Sequence, residues 1–383
     1  MKVFKVATTI VIVGLLFFSC EMKKTKEEKT YPSDLPVIDL RGLLSEKGSD
    51  EIQMFSPTDR IEYIPLDTFP ELSGCGDILL TENHIFLSKP KDIVMYDCNG
   101  RYQKHIEGAD YISSLFYNEY THEVYVMGKG NVWILDEKNG EPVGDTQTLY
   151  KTAPFTQLYP LASDRFLALS GKDNFYVTKT RAAICDNKGQ LLTDSVVLTP
   201  DEIEKHVCWW DGGTYVMNDA DKNYLFFTYF PGNPYQTIFK ASQDRIDPIY
   251  YLDIESDACI LEAWEFKGCL YFIFSYWLRG YGDVYRNLTL ATFDMDTHEL
   301  KSKRLYKELQ DWSAKYGVEN NIDCGLPIQC MKHSYARKTV LDLIGSWHVL
   351  GYVKQNKIKD NAPEFLKRMN KESSPVISVI YYH

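Results

Sequence analysis

Between residues 77 and 305 one local pattern keeps returning, and no other feature restricts the fold so severely. It is a short apolar run, a turn and a second extended run. The clearest copy is residues 91–106, where Ile93-Val94-Met95-Tyr96 leads into Asp97-Cys98-Asn99-Gly100 and then a second strand. The ends of the third strands fall at Asp97, Asp136, Asp186, about Ala241, and Asp294, in steps of 39, 50, 55 and 53 residues. Four short strands repeated every 40–55 residues, roughly, is the sequence signature of a β-propeller. One twisted sheet cannot bury both of its faces, whereas sheets packed face to face around a ring can.

The strands expected are 77–80, 84–87 and the 91–106 hairpin in the first unit; 112–117, 124–127, 132–135 and 141–143 in the second; and 158–161, 166–169, 182–185 and 190–192 in the third. The fourth unit takes 213–217, 224–230, 235–240 and 249–254, and the fifth 260–265, 270–276, 288–293 and 300–305. A sixth unit is incomplete. Residues 339–344, 348–354 and 375–382 supply three strands, and only the early strand 61–67 is left to be its fourth, with Pro65 suited to an edge position. The architecture expected is therefore all-β: a six-bladed β-propeller of four-stranded antiparallel blades, closed by an N-terminal strand, with a few short helices in loops.

Ahead of this lies a different kind of sequence. Lys2 and Lys5 precede an apolar stretch over 6–18, too short to span a bilayer and suited to a signal peptide. Phe17-Phe18-Ser19-Cys20 ends it in the manner of a bacterial lipobox, with Cys20 as the lipidated first residue and Phe17 where leucine is commoner. Residues 1–19 are thus a lipoprotein signal peptide, 20–34 the lipidated cysteine and a polar tether, and 35–383 the propeller. Net charge is −11 in full and about −13 once the leader is removed, which argues against a nucleic-acid backbone as partner. Of the eight other cysteines most are expected to be small buried residues, and Cys324–Cys330 is the leading candidate for a bridge.

With the lipobox-like end of the leader, the strand Ile61-Glu62-Tyr63-Ile64-Pro65-Leu66 and the Tyr96-Asp97-Cys98-Asn99-Gly100 hairpin, the chain resembles bacterial six-bladed β-propeller lipoproteins with NHL-like blades. The resemblance covers most of 35–383, although units four to six lack the Asp-x-x-Gly turn. It implies a cell-envelope location, the outer membrane included, and no established reaction, so it lends no catalytic residues.

Candidate functional residues come from the connections. In a propeller the links between second and third strands, and between one blade and the next, share a face, and the unusual segments all fall there. Short helices are expected from Thr199-Pro200, over 306–316 and over 363–369. The loop over 277–286 carries Trp277, Arg279, Tyr281, Tyr285 and Arg286; Trp210, Tyr229 and Tyr235 flank the neighbouring unit. Flat rings combined with guanidinium forks suit stacking on a sugar or clamping an acid. The competing role for these aromatics is packing onto their own blade.

Zinc-protease, nucleophile-elbow and phosphate-loop patterns are missing, and the eight histidines show no ligand spacing, so no metal or cofactor is expected. Asp211 and Asp283 are the acids that could form a glycosidase pair. The expected role is binding a ligand, such as a glycan, or an envelope protein through the loop-rich face, without chemistry. The alternative is a carbohydrate-active hydrolase or lyase at the channel mouth, and a third is an interaction subunit of a membrane assembly.

Overall fold

The computed structural model describes residues 34–382 apart from 47, 49, 57, 68–76, 108–111, 113, 129–130, 145–154, 171–179, 195, 199–212, 220, 230–234, 279–283, 310–316, 329–331, 335–338 and 355–357. Strand β1 (Val37–Asp39) and strand β2 (Arg60–Pro65) come first, and each joins a sheet built from much later sequence. Sheet one contains β3 (Ile78–Leu80), β4 (His84–Ser88), β5 (Asp92–Asp97) and β6 (Tyr102–Glu107). Sheet two has β7 (Ser114–Asn118), β8 (Glu123–Gly128) and β9 (Asn131–Asp136); sheet three has β10 (Phe155–Pro160), β11 (Arg165–Ser170), β12 (Arg181–Asp186) and β13 (Val196–Val197). In sheet four, β14 (Gly213–Asn218), β15 (Tyr224–Tyr229), β16 (Tyr235–Ala241) and β17 (Ile246–Asp253) are joined by β1, parallel to β17. Sheet five is β18 (Ala258–Phe266), β19 (Cys269–Leu278), β20 (Val284–Asp294) and β21 (Leu300–Leu309). Sheet six runs β22 (Lys332–Ser334), β23 (Thr339–Ile344), β24 (Val376–Tyr381) and then β2.

Strict alternation along the strands explains why they read as unbroken apolar runs: both faces of each sheet are covered. Met95 packs with Leu115 and Val126 of sheet two, whereas its neighbour Tyr96 packs with Leu341 and Val379 of sheet six. Phe226 joins Leu167 and Ile184 of sheet three; Phe227 joins Phe272 and Phe274 of sheet five. Phe116 and Tyr125 of sheet two meet Phe166 and Ala183 of sheet three, and Trp264, Ile273 and Leu290 of sheet five meet Val340 and Ile380 of sheet six. Among the described residues an apolar layer thus lies between each of these pairs of sheets, the pair of six and one included.

The opening strand sits where expected, with Arg60 opposite Tyr381 and Pro65 opposite Val376 in an antiparallel ladder. Pro65 lies on the outer strand of its sheet, where a missing ladder donor is tolerated. The hairpin at Asp97–Gly100 touches this strand's end. Asp67 N donates to Gly100 O (2.9 Å) and Tyr102 N to Asp67 Oδ2 (2.8 Å).

Several expectations are corrected. Residues 348–354 are not a strand but part of helix α1 (Ser346–Lys354), because Val349 and Tyr352 are buried at a spacing of three while Val353 is exposed. The first strand of sheet six is therefore β22. Residues 306–309 continue β21 instead of starting a helix; 310–316 lie outside the described residues. In sheet three the outer ladder is made by Val196–Val197, and Leu191 forms only an isolated bridge to Cys185; Pro142 likewise makes only a bridge to Leu135 in sheet two. The expected short helix near 363–369 is present as α2 (Glu364–Arg368), and the one from Thr199 lies outside the described residues. Cys324 is a free thiol, so no bridge from Cys324 forms; Cys185 and Cys259 are buried, as expected of small core residues. Cys259 faces Ser275, one position from where an ideal ladder would put it, owing to the irregularity at Ile260/Glu262.

Candidate binding face

The segment between β1 and β2 works as a strap over sheets five and six. Gly48 O and Asp50 hold the edge of β21, through Arg304 N (3.0 Å), Asp50 N to Ser302 O (3.1 Å) and Ser302 N to Asp50 Oδ2 (2.8 Å). The Arg304 guanidinium donates to Thr289 Oγ1 (3.0 Å) and Leu44 O (2.8 Å), and also to Glu46 O, fixing the turn after β1. Ile52, Met54 and Phe55 then enter the layer between sheets five and six. An outer strand edge that would template association is covered in this way.

Antiparallel alternation puts three connections at one end of these sheets: the β19–β20 loop, the link from β21 to β22, and the β23–β24 connection carrying α1 and α2. Part of the second, residues 317–328, is a compact loop whose base is a two-way bridge between Val318 and Ile328 (N–O 2.9 Å each). Asn320 Nδ2 donates to Asp323 Oδ1 (2.7 Å), and Gly325 N to the same oxygen (3.0 Å). Tyr63 Oη donates to Asp323 Oδ2 (2.7 Å), and Asn321 Nδ2 to Phe55 O (2.9 Å), so the strap and β2 hold the loop down. Burial, and then the Asp323 carboxylate, push the Tyr63 phenol well above its ordinary value, and it stays a donor. Gly325 is required by contact: a Cβ there would lie 2.7 Å from Tyr63 Oη.

Between this loop, β21 and the end of α1 is a cleft of about 280 Å³. Ile52, Leu290, Leu305, Pro327 and Tyr352 give it an apolar floor. At its rim Glu319 receives hydrogen bonds from Lys359 Nζ (2.9 Å) and Lys303 Nζ (3.4 Å). The Lys359 hydrogen bond and charge, helped by Lys303, hold the Glu319 carboxyl below its usual range; the same bond raises Lys359. The three charged groups lie on β21, the 317–328 loop and the segment after α1, and no periodicity joins them. Only the turn-forming string Asn320-Asn321-Ile322-Asp323-Cys324-Gly325 signals an ordered loop.

Of the residues singled out in the sequence, Trp210, Asp211, Arg279, Tyr281 and Asp283 lie outside the described residues, as does Cys20. Backbone pairing brings Trp277 opposite Tyr285, and Tyr276 opposite Arg286, at the loop end of sheet five. Arg286 is exposed. Tyr235 opens β16, opposite Asp253. Tyr229 is corrected: it is wholly buried between sheets four and five and its hydroxyl donates to Ala258 O, so it is a packing residue. Among the described residues no group of acidic, histidine and cysteine side chains is arranged to hold a metal ion.

No family model matches the chain, and no curated protein does. Solved structures do. A protein from Bacteroides fragilis named as an exported one superposes with a TM-score of 0.55 at 11% identity, over 85% of this chain and 95% of that one. BamB from Moraxella catarrhalis gives 0.39 at 12% identity over 64% and 66%, and the WD40 β-propeller domain of Doa1 gives 0.36 at 11% over 62% and 71%. The chain is predominantly β and is built of repeated antiparallel sheets, several of them four-stranded.

Proposed function

We propose that this chain is a lipid-anchored, six-bladed propeller of the bacterial cell envelope, in the outer membrane, that binds a ligand or protein partner through the face where the connections of sheets five and six gather. The observation that carries the binding role is the cleft of about 280 Å³ bounded by the middle of β21, the 317–328 loop and the segment after α1, with its apolar floor and charged rim. Ligand sites of this kind favour concave, mostly apolar surfaces with a few polar groups. Ring closure is supported by the apolar layer between sheets six and one and by the β2–β24 ladder. Residues 1–19 serve as the signal peptide, Cys20 carries lipid, 20–34 is the tether and 35–383 is the propeller. The envelope location is supported by the lipobox-like Phe17–Cys20 and agrees with the name of the Bacteroides fragilis protein.

Two experiments test this. Metabolic labelling with a fatty acid should mark the wild-type chain, and Cys20→Ser should abolish the label and move the protein from membrane to soluble fractions. A glycan array and pull-down from solubilised envelope should return a ligand or partner whose capture weakens when Trp277, Arg286 or the cleft rim is altered. Silence in both assays under several salt and pH conditions sinks the binding role. The hydrolase alternative rests on Asp211 and Asp283, which lie outside the described residues, and no observation favours it.

A further inference from the structure

We propose that the cleft beside Lys303 and Lys359 takes a small carboxylate with a compact apolar body, the carboxylate joining or displacing Glu319 between the two ammonium groups. This deepens the binding role proposed above by naming the class of ligand and the residues that select it. Three lines of physical reasoning lead there.

The first is donor capacity. An ammonium group has three N–H donors, and among the described residues Lys303 and Lys359 each give one hydrogen bond, both to Glu319. Two donors on each remain for an incoming acceptor. The charges are likewise unequal, two cations to one carboxylate, in a chain whose net charge is −11. Arg304 also lines the cleft, but its guanidinium is engaged by Thr289 and the carbonyls of the strap turn, so it is not counted as an anion ligand.

The second is shape and polarity. Beneath the lysines the wall is Ile52, Leu290, Leu305, Pro327 and Tyr352, a surface that suits an aryl or short alkyl group, with Asn320 as a further polar lining residue. At about 280 Å³ the cleft has the volume of roughly nine waters, enough for a body of about ten heavy atoms. A bare inorganic anion would leave that floor wet.

The third is rigidity. Asn320, Asp323 and Gly325 are tied to one another and to Tyr63, so the wall bearing Glu319 is already set before a ligand arrives. Little ordering is then required on binding. Glu319 itself is more than half exposed and can swing aside without exposing core.

Calorimetric titration of the full chain with phenylacetate, hexanoate, glucuronate and neutral phenylacetamide tests the assignment. Phenylacetate or hexanoate should saturate at millimolar concentration or below, and phenylacetamide should bind at least about tenfold more weakly. Lys303→Gln and Lys359→Gln should each weaken phenylacetate by about tenfold. Glu319→Gln removes the competing carboxylate and should tighten it several-fold, a gain that damaged folding cannot produce. Equal binding of acid and amide, or no saturable binding of any acid to the Glu319→Gln chain, overturns the proposal. Glucuronate bound more tightly than both apolar acids overturns the assignment of an apolar body. If Lys303→Gln leaves capture of a glycan or envelope partner intact while phenylacetate binds nowhere, this inference fails and the broader binding role stands.

Discussion

Replacing Gly100 with alanine strikes the contact between sheet one and β2, the outer strand of sheet six. Gly100 has φ +81°, a conformation costing an L-residue about 1–2 kcal/mol. Its missing Cβ matters more. An added methyl would stand 2.1 Å from Pro65 O and 3.0 Å from Ile64 Cγ2, both on or beside β2. A backbone carbonyl cannot rotate away, so the hairpin and β2 must separate. That movement strains the Asp67 N–Gly100 O and Tyr102 N–Asp67 Oδ2 hydrogen bonds. Overpacking of this kind costs about 1–3 kcal/mol, giving about 2–5 kcal/mol in all. Gly268 is the control, because it has φ +79° and a methyl added there would meet nothing within 4 Å. Gly268→Ala should therefore cost only the conformational part, about 1–2 kcal/mol. Urea denaturation followed by intrinsic fluorescence measures both, and limited proteolysis between residues 60 and 76 reports whether β2 has loosened. If the two variants lose the same stability within about 0.5 kcal/mol, the seam contact is not what requires Gly100.

Three other perturbations follow from two buried carboxyls and one left-handed turn residue. Glu137 is almost fully enclosed; burial pushes its carboxyl up, but hydrogen bonds from Thr81 and from Asn83 N and Nδ2, with His84 alongside, outweigh this and leave it below its usual value. Its contribution is present above the ordinary carboxyl range and lost as pH falls through the depressed value, so Glu137→Ala should cost about 2–4 kcal/mol at neutral pH and flatten the acid limb of a stability–pH curve. Glu265 behaves oppositely: burial, partly offset by Gly268 N–H (2.7 Å), raises it to about 7. Stability from its protonated form is complete below the ordinary value and lost as pH rises through about 7, so Glu265→Gln should remove that dependence and be the more stable chain at pH 8, by up to about 3 kcal/mol in denaturation experiments. His298 holds φ +59° in the turn after Asp294, stacked on Phe293 at 5.7 Å. His298→Ala loses the stack and keeps the strain, so His298→Gly should be the more stable of the two by about 1 kcal/mol in the same assay.

That last position shows how the repeat is legible where the chemistry is local and hidden where it is not. Asp97, Asp136 and Asp186 each accept backbone N–H groups inside an Asp-x-x-Gly or similar turn, and the sequence announces them. Asp294 caps its turn in the same way through Asp296 and Thr297, but a histidine takes the left-handed position usually given to glycine, so the motif is disguised. Strands with both faces buried are readable from their apolar runs, and the lone strand 61–67 from the shortage of partners at the C-terminus. Helix α1 is not, because Val349, Leu350, Tyr352 and Val353 can be fitted to either period until packing selects one. Strand β1 is three residues long and gains its place only from β17, a partner far along the chain. The Lys303–Glu319–Lys359 rim is of the same kind, since its members meet only after the strap has pinned the 317–328 loop.

The ladder from Arg60 to Pro65 has a consequence for timing. These residues emerge early in synthesis, yet their partners, Val376–Tyr381, follow only after all five intervening sheets have been made. A ribosome-bound chain therefore cannot complete sheet six, and Ile64 and Leu66 stay without the Ile377 and Val379 side chains they pack beside. The late, long-range pairing keeps the nascent chain open until that distant stretch is free, a state vulnerable to proteases if release stalls.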